Sequence, residues 1–302
     1  MVTSAAIKQL RELSGAGMID CKNALTEANG DIERATEILR EKGLSALAKK
    51  SGKIATEGLS YARVENGKGI IVEVNSQTDF VAKNEMFINF VEGVIKQIAN
   101  SSATTTEQLL QEPWILDKSI TVEQELSGKT AIIGEKLNIR RFEKIESNNT
   151  IVNYIHAGGK VAVLVELAGN NSEKLIEAGK NVAMQIAAMN PQFLDRSAVS
   201  PEFIEKERKI LTEQALAEGK PANIVEKMIE GRLSKNLKEL CLLDQEYVKD
   251  SNFTIETYLK SVSKELGIEV SIKKFIRFET GEGMEKKEED FAEEVKKAME
   301  GN

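Results

Sequence analysis

The first 43 residues repeat apolar positions at the three- to four-residue spacing of short amphipathic helices. Three segments carry this pattern: Ile7, Leu10 and Leu13; then Cys21, Ala24, Leu25 and Ala28; then Ile32, Ala35, Ile38 and Leu39. Gly15 and Gly17 separate the first two segments, Asn29-Gly30 forms the next turn, Asp31 is a helix N-cap, and Gly43 ends the third helix. The pattern therefore predicts three helices.

This N-terminal segment is expected to form a domain of its own over residues 1–43. A body of about 40 residues buries little surface, which favours a docking unit over a catalytic one. Residues 44–57, rich in Lys, Ser and Ala, are interpreted as the linker that follows it.

Beyond the linker the apolar positions recur every second residue, as in β-strands. Leu59, Tyr61 and Arg63 precede an Asn66-Gly67 pair, and the run 70–74 follows it, with Ile71 and Glu73 on the opposite face. Asn-Gly between two such runs is a strong hairpin signal. A second hairpin is predicted over 151–167, where Ala157-Gly158-Gly159 joins two apolar runs.

The two hairpins belong to a longer internal repeat. Its paired segments are KGIIVEV (68–74) with KVAVLVEL (160–167), VIKQIA (94–99) with VAMQIA (182–187), and the charged strands NIRRFEKIE (138–146) with SIKKFIRFE (271–279). The first copy has five extra residues between hairpin and helix, around SQTDFVAKN. The fold class predicted is α+β, with core subdomains over 58–147 and 148–282, each a small antiparallel sheet covered by helices.

An antiparallel helical hairpin is predicted at about 200–240, inside the second copy. Ser200 and Pro201 are a favourable N-cap and first helical residue, and Gly219 to Pro221 form the turn. The hairpin is either an interaction arm or plain scaffold, and the pattern does not separate the two. Residues 283–302 are predicted to form a charged C-terminal helical module.

Composition narrows the class of protein. Among 302 residues, 41% are hydrophobic and the net charge is −7 with a pI near 5.2, which disfavours nucleic acid and membranes as partners. No apolar run approaches the length of a membrane span, and the first residues lack a signal-peptide pattern, so a cytoplasmic location is expected. One histidine and two distant cysteines, Cys21 and Cys241, exclude a His-based metal site, and both cysteines are interpreted as buried apolar residues.

Sequence motifs for catalysis are absent: neither a GxxxxGK[ST] loop, a GxSxG elbow nor an HExxH helix occurs. The local candidate is residues 78–81, the TDFV stretch inside the insertion. Its ordinary interpretation is that Thr78 or Asp79 caps a helix while Phe80 packs against the first turn; the alternative, favoured by an aromatic residue beside an acid in the insertion, is a functional tip. His156, at a strand end, is either a surface histidine or part of a site.

Four segments of the chain resemble the bacterial elongation factor Ts family. They are LRELSGAGMIDCKNALTEANGDIERA (10–35), EVNSQTDFVAKN (73–84), IGEKLNIRRF (133–142) and FIRFETGEG (275–283). The resemblance covers essentially the whole chain. It implies a ubiquitin-associated-like (UBA-like) N-terminal domain, a core of two related subdomains with an inserted helical hairpin, and a C-terminal helical module.

The resemblance also implies a function. Members of this family act in the elongation step of protein biosynthesis as guanine-nucleotide exchange factors. They bind elongation factor Tu in its GDP-bound and nucleotide-free states, displace its Mg²⁺ and promote GDP release. The protein would then not be an enzyme, would hold no cofactor or metal of its own, and would associate with itself, if at all, through the helical hairpin.

Residues are assigned to this function only where the motifs match. Asp79 and Phe80 would enter the partner near its bound magnesium, flanked by Thr78 and Val81, and these four residues form the predicted partner-binding segment that dislocates the ion. Further partner contacts implied by the resemblance are Arg11, Met18, Ile19, Ile133, Gly134 and His156. At 245–249 the family often has a Pro-Phe-Val-Met pattern where this chain has QEYVK, so a contact of Val248 and Lys249 is left open.

Three other functions remain as alternatives. A UBA-type adaptor without exchange activity would explain the N-terminal domain but not the duplicated core or the insertion. RNA binding through the basic run at 49–53 is disfavoured by net acidity and few aromatic residues. An enzyme would need a constellation of acid and base groups that the sequence does not offer.

Overall fold

Helices and short antiparallel strands both occur along the chain, which confirms the predicted α+β class. The computed structural model describes residues 2–50, 52–169, 171–218 and 222–285. Most of the C-terminal helical module predicted for 283–302, and the hairpin turn predicted at 219–221, lie outside the described residues.

Along the described residues, three α-helices precede a β-hairpin; three more helices, a pair of short strands, a helix and a strand follow, and then a second hairpin, four helices and a last strand. The helices are α1 (Ser4–Ser14), α2 (Met18–Glu27), α3 (Ile32–Lys50), α4 (Asp79–Ala82), α5 (Glu85–Asn100), α6 (Thr106–Gln111), α7 (Val122–Ile133), α8 (Glu173–Met189), α9 (Pro201–Ala217), α10 (Ala222–Leu240) and α11 (Ile255–Leu266). The strands are β1 (Glu57–Glu65), β2 (Lys68–Ser76), β3 (Pro113–Trp114), β4 (Asp117–Thr121), β5 (Asn138–Glu146), β6 (Thr150–His156), β7 (Val161–Leu167) and β8 (Ile272–Glu279).

The three predicted N-terminal helices are present and enclose a small core of their own. Gly15 caps α1 in the left-handed conformation, and Asp31 caps α3 by accepting a hydrogen bond from the amide of Arg34 at 3.1 Å. The buried core residues of these helices are Leu10, Ala16, Cys21, Ala24, Leu25, Ala28, Ala35 and Ile38.

The predicted end of the third helix is wrong, because α3 runs through Gly43 to Lys50. Gly43 is buried where α3 packs against α7, and a Cβ at this position would lie 3.3 Å from the carbonyl oxygen of Ser127. A glycine that lets two helices approach closely has a packing role, which offsets its low helix propensity. The residues around a glycine do not show whether it ends a helix or allows close packing of two helices.

The first sheet has the strand order β1-β2-β5, so β2 is central. The period-two pattern predicts β1 and β2 correctly, but it does not predict that β2 is buried on both faces. All its residues from position 69 to 76 are buried, including the charged Glu73. The short strands β3 and β4 form a separate antiparallel pair that the sequence pattern does not indicate.

Contacts divide the described chain into two compact units, one comprising Met1–Ser60, Val72–Phe142 and Glu279–Asn302, the other Tyr61–Ile71 and Glu143–Phe278. In the second unit the sheet order is β6-β7-β8, and β6 pairs with β7 in the predicted hairpin, from Thr150 opposite Leu167 to His156 opposite Val161. Helix α8 packs on this hairpin, and α11 packs on α8. The domain boundaries drawn from the sequence stay a prediction.

The two helices predicted within 200–240 are α9 and α10, which pack against each other. Ser200 caps α9 through the amide of Phe203, and Pro201 is the first helical residue, as predicted. Apolar residues of the two helices bury each other, among them Leu211, Ala215, Val225, Ile229, Leu233 and Leu237. Self-association through this hairpin stays a prediction.

The internal repeat extends to buried side-chain bonds. The carbonyl oxygen of Gln97 on α5 accepts a hydrogen bond from the amide of Ile115, and its nitrogen donates to Glu112. In the second copy the carbonyl oxygen of Gln185 on α8 accepts from the amide of Val248, and its nitrogen donates to Gln245. Each copy thus uses the glutamine of its paired helix motif to fix a downstream segment.

In the part of the chain that the structure describes, no helix combines the length and apolarity needed to cross a lipid bilayer.

Packing of α8 on the β6-β7 hairpin generates a stability prediction. A Cβ at Gly179 would lie 2.6 Å from Val152 Cγ2 and 2.9 Å from Leu167 Cδ1. We expect Gly179→Ala to lower the free energy of unfolding by roughly 1–3 kcal/mol, because the added methyl group would overpack the core. Urea denaturation followed by circular dichroism measures this change.

The matched control is Gly231→Ala on α10, where a Cβ would meet nothing within 4 Å. There the substitution should stabilise the protein by roughly 0.5–1 kcal/mol, since alanine is the better helix former. Equal effects of the two substitutions would contradict the packing argument.

Candidate partner-binding site

The tip turn, residues 78–81, stands between the end of β2 and the start of α5. Thr78 is the N-cap of α4, with extended backbone angles, and its side-chain oxygen accepts a hydrogen bond from the amide of Val81 at 3.5 Å. Ser76 Oγ donates to the carbonyl oxygen of Thr78 at 2.9 Å. The capping half of the ordinary interpretation is therefore confirmed.

The other half of that interpretation is wrong, because Phe80 does not pack inward. Its side chain is 80% exposed, whereas Val81 and Ala82 next to it are buried. Fully burying a phenylalanine contributes roughly 1.5–3 kcal/mol, so this exposure leaves a large apolar contribution unused within the chain. The turn presents an aromatic ring to solvent on a fixed backbone.

Asp79 lies beside that ring on the surface. Its carboxylate forms an ion pair with Lys83 at 2.7 Å, one helical turn later, and both side chains are about half exposed or more. An exposed pair of this kind contributes little to stability. The pair with Lys83 by itself therefore opposes a new contact of this carboxylate only weakly.

Glu135 anchors the tip turn from the loop between α7 and β5. One carboxylate oxygen accepts hydrogen bonds from the amides of Gln77 at 3.1 Å and Thr78 at 3.0 Å, and the other accepts from Thr78 Oγ1 at 2.7 Å. Glu135 also interacts with Lys50. The pKa of Lys50 is lowered overall, chiefly by partial burial and next by the charge of Lys53, and the Glu135 carboxylate offsets part of this lowering.

Ile133 and Gly134, two predicted contacts, lie immediately before Glu135. Ile133 is the last residue of α7, and Gly134 caps the helix in the left-handed conformation (φ 84°), donating to the carbonyl oxygen of Thr130 at 3.1 Å. A non-glycine residue rarely adopts this conformation. The structure therefore brings 133–134 and the tip turn together through one residue.

Below the tip turn, Glu73 of β2 is fully buried and charged. Its carboxylate accepts hydrogen bonds from Arg140 Nη1 at 2.9 Å, Arg141 Nε at 2.6 Å, the amide of Gly281 at 2.8 Å and Asn75 Nδ2 at 3.0 Å. Burial by itself raises the pKa of Glu73, but these bonds and the two guanidinium charges outweigh it and hold the pKa below its ordinary value of 4.5.

The two arginines also donate hydrogen bonds to residues other than Glu73. Arg140 Nη2 donates to the carbonyl oxygen of Glu282 at 2.6 Å, and Arg141 Nη2 donates to that of Glu279 at 3.2 Å. The ion pairs with Glu73 and these hydrogen bonds together connect β2, β5 and the end of β8 with the turn after it.

The spacing of these contacts explains how Glu135 reaches the tip. Thr78 comes five positions after Glu73, and Glu135 comes five positions before Arg140. Contacts that advance along one segment and retreat along the other are those of an antiparallel pair. The bonds of Glu73 with Arg140 and of Thr78 with Glu135 follow this pattern, on the neighbouring strands β2 and β5 and the segments next to them.

The predicted N-terminal contacts lie on the α1-α2 corner. Met18 and Ile19 at the start of α2 are 60% and 75% exposed, and Arg11 on α1 is also exposed. Leu13, which was not predicted as a contact, is 66% exposed in the same corner. Three large apolar side chains exposed within seven positions make this corner a second candidate docking surface.

The remaining candidates lie in the other unit. His156 is the last residue of β6, exposed, with its Nδ1 3.1 Å from the hydroxyl of Tyr154. Val248 is half exposed, and Lys249 donates to Asn181 at 2.7 Å. Whether any of these residues contacts a partner stays a prediction.

Sequence reasoning missed Glu73 and Glu135 as determinants of the site. The role of Glu73 could have been predicted from the sequence, because it is a lone carboxylate in an apolar strand and two adjacent arginines occur in another strand. Glu135 is part of the IGEKLNIRRF motif, but its bonds join residues 57 and 58 positions apart in sequence. Local pattern does not report such contacts.

The amino-acid sequence is also similar to those of known proteins. Residues 77–282 match the family described as "Elongation factor TS". The chain is 52% identical over 303 residues to a protein of Clostridium novyi named "Elongation factor Ts", covering 99% of both chains. It is 54% identical to the protein of that name from Clostridium kluyveri, covering 100% of both, and 51% identical to that from Clostridium tetani, covering 99% of this chain and 100% of the relative.

The lowered pKa of Glu73 predicts a pH dependence of stability. A carboxyl group with a depressed folded-state pKa adds stability that is fully present above its unfolded pKa, near 4.5, and is lost as pH falls through the folded value. At pH 7 we expect Glu73→Gln to lower the free energy of unfolding by about 3–5 kcal/mol, because two arginines lose their buried counter-charge.

The difference in unfolding free energy between Glu73→Gln and the parent should shrink as pH falls below about 4.5, since the parent loses this contribution there. Denaturant titrations at pH 7, 5 and 3.5 measure it. Glu12→Gln, at an exposed carboxylate on α1, is the control and should change stability by under about 0.5 kcal/mol. A difference that does not vary with pH would contradict the assignment.

Proposed function

Because the chain belongs to the elongation factor Ts family and so is a translation elongation factor, we propose that it is a guanine-nucleotide exchange factor for elongation factor Tu. It would bind the partner in its GDP-bound state, promote release of GDP and of Mg²⁺, and leave a nucleotide-free complex that GTP can enter. The proposal involves no covalent chemistry by this chain, no cofactor, no nucleic acid and no membrane, and the site of action is the cytoplasm.

The observation that carries the proposal is the exposed ring of Phe80 on the tip turn. It lies inside the region that matches the family, in the segment where the first copy of the repeat departs from the second. An aromatic side chain held by a capped backbone can enter a partner's pocket without first giving up contacts in its own protein. This arrangement supports a wedge between loops of the partner.

Exchange by such a wedge is a coupling of free energies. Contacts that form only with the nucleotide-free partner weaken GDP binding, and GDP weakens binding of the factor by the same amount. Each 1.4 kcal/mol of coupling loosens the nucleotide tenfold. Burial of Phe80 in the partner, at roughly 1.5–3 kcal/mol, would supply about one to two powers of ten.

The partner's Mg²⁺ offers a second route to loosening. This ion requires near-ideal octahedral geometry with short bonds to oxygen, so a small movement of the loops that hold it favours its release. Asp79 lies next to Phe80 and forms an ion pair with Lys83 on the surface. Within the proposal, its carboxylate acts on those loops while Phe80 displaces them.

The other predicted contacts belong to the same proposal. Arg11, Met18 and Ile19 would dock on the partner through the exposed α1-α2 corner, Ile133 and Gly134 would contact it beside the tip turn, and His156 would contact it from the second unit. The exposure of the α1-α2 corner supports this division between docking and wedge.

Replacing Phe80 tests the wedge. We expect Phe80→Ala to slow the accelerated release of a fluorescent GDP analogue from elongation factor Tu by roughly ten- to a hundredfold, in line with the burial of one phenylalanine. Stopped-flow fluorescence at saturating factor measures the rate. Leu116→Ala is the matched control. This apolar side chain is largely exposed too, at 64%, but it lies outside the tip turn.

If both variants lose activity equally, Phe80 is not a specific wedge. No acceleration by the folded parent protein would overturn the proposal and favour the adaptor without exchange activity.

The α1-α2 corner predicts a different kinetic effect. We expect the double substitution Met18→Ala and Ile19→Ala to raise the concentration of factor needed for half-maximal GDP release roughly tenfold or more, while the rate at saturation stays close to that of the parent. The same stopped-flow assay at several factor concentrations measures both quantities. Lys8→Ala, an exposed change on α1, should alter neither; a fall in the saturated rate would assign the corner to the wedge instead.

A further inference from the structure

Three hydrogen bonds from two neighbouring residues converge on the carboxylate of Glu135. The donors are the amides of Gln77 and Thr78 and the hydroxyl of Thr78, at 2.7–3.1 Å. Bonds to an ionised acceptor are roughly twice as strong as bonds between neutral groups. The backbone leading into the tip turn is therefore held from outside its own segment.

The bond to the Thr78 hydroxyl also orients the cap of α4. A hydroxyl has one hydrogen, and Thr78 donates it to Glu135, which leaves a lone pair for the amide of Val81. Helix α4 has only four residues, and a single turn is unstable without such support. Phe80, within this turn, is too exposed for its own packing to fix its direction.

We propose that Glu135 is a positioning residue for exchange: it holds the tip turn so that Phe80 enters the partner at the correct angle, and it couples the tip to the contacts at Ile133 and Gly134. This inference rests on the proposed exchange function and deepens it. Glu135 itself need not touch the partner. It acts through Thr78, and because it directly follows Gly134, one side chain fixes the two segments against each other.

Substitutions of Glu135 test the inference in the full-length protein. We expect Glu135→Ala to slow saturated release of the GDP analogue roughly tenfold, because the ring of Phe80 samples wrong directions. Glu135→Gln should retain most of the activity, since its amide oxygen can still accept the two backbone bonds and its nitrogen can donate to Thr78 Oγ1. Equal losses in both variants would show that charge, and not the position of the turn, is what matters.

A double-mutant cycle separates positioning from an independent contact. If Glu135 acts through Phe80, then Phe80→Ala should slow release much less in the Glu135→Ala background than in the parent. Fold-changes that simply multiply would overturn the inference. Glu85→Ala is the matched control, since it removes one negative charge at the start of α5 and leaves the bonds to Thr78 intact; it should change the rate less than twofold.

Amide hydrogen exchange without the partner provides a readout that does not depend on nucleotide release. Protection of the amides of Thr78 and Val81 should fall at least tenfold in Glu135→Ala and recover in Glu135→Gln. Unchanged protection, or an active parent with an equally active Glu135→Ala, overturns this inference alone. A folded parent that fails to accelerate GDP release overturns the proposed function and, with it, the role of Glu135 in exchange.

Discussion

The buried charge of Glu73 is the constraint on which the candidate site depends. A carboxylate removed from water is tolerated only when it is paired and hydrogen-bonded, and here two guanidinium groups, an amide and a side-chain amide meet that need. Because those donors come from β5 and from the turn after β8, satisfying one charge fixes three separate segments. Glu135, which precedes β5, bonds Thr78, which follows β2, so the exposed tip is built on the same two strands that the buried charge joins.

The internal repeat combines a shared scaffold with one local difference. Gln97 and Gln185 make corresponding buried bonds in the two copies, each fixing a segment that follows much later in sequence. Only the first copy adds a tip turn between its hairpin and its helix. The second copy has Glu166 where the first has Glu73, and Glu166 is only partly buried and accepts a bond from Asn149. The two copies thus differ in structure at the candidate site, where the repeat is broken.

Much of the fold could be predicted from the sequence, because its determinants are local. Period-two runs around Asn66-Gly67 and Ala157-Gly159 specify the hairpins, and caps such as Asp31 and Ser200 specify helix starts. The errors share another cause. Gly43 reads as a helix end but serves close packing of α3 on α7, and the ordinary interpretation of Phe80 as a packed residue fails because its turn is held by Glu135, 57 positions away from Thr78. Contacts between distant segments decide these cases, and a local window does not contain them.

Exchange by a wedge requires that the wedge be rigid before it meets its partner. A flexible turn would lose conformational freedom on binding, and that loss would subtract from the energy available to weaken the nucleotide. In this chain the tip turn is held within the folded protein by the cap on α4 and by three hydrogen bonds to Glu135. Under the proposed function, the exposed apolar surface of Phe80 would then be available to the partner without that loss, and the bonds that hold the turn would help to determine how strongly the tip acts.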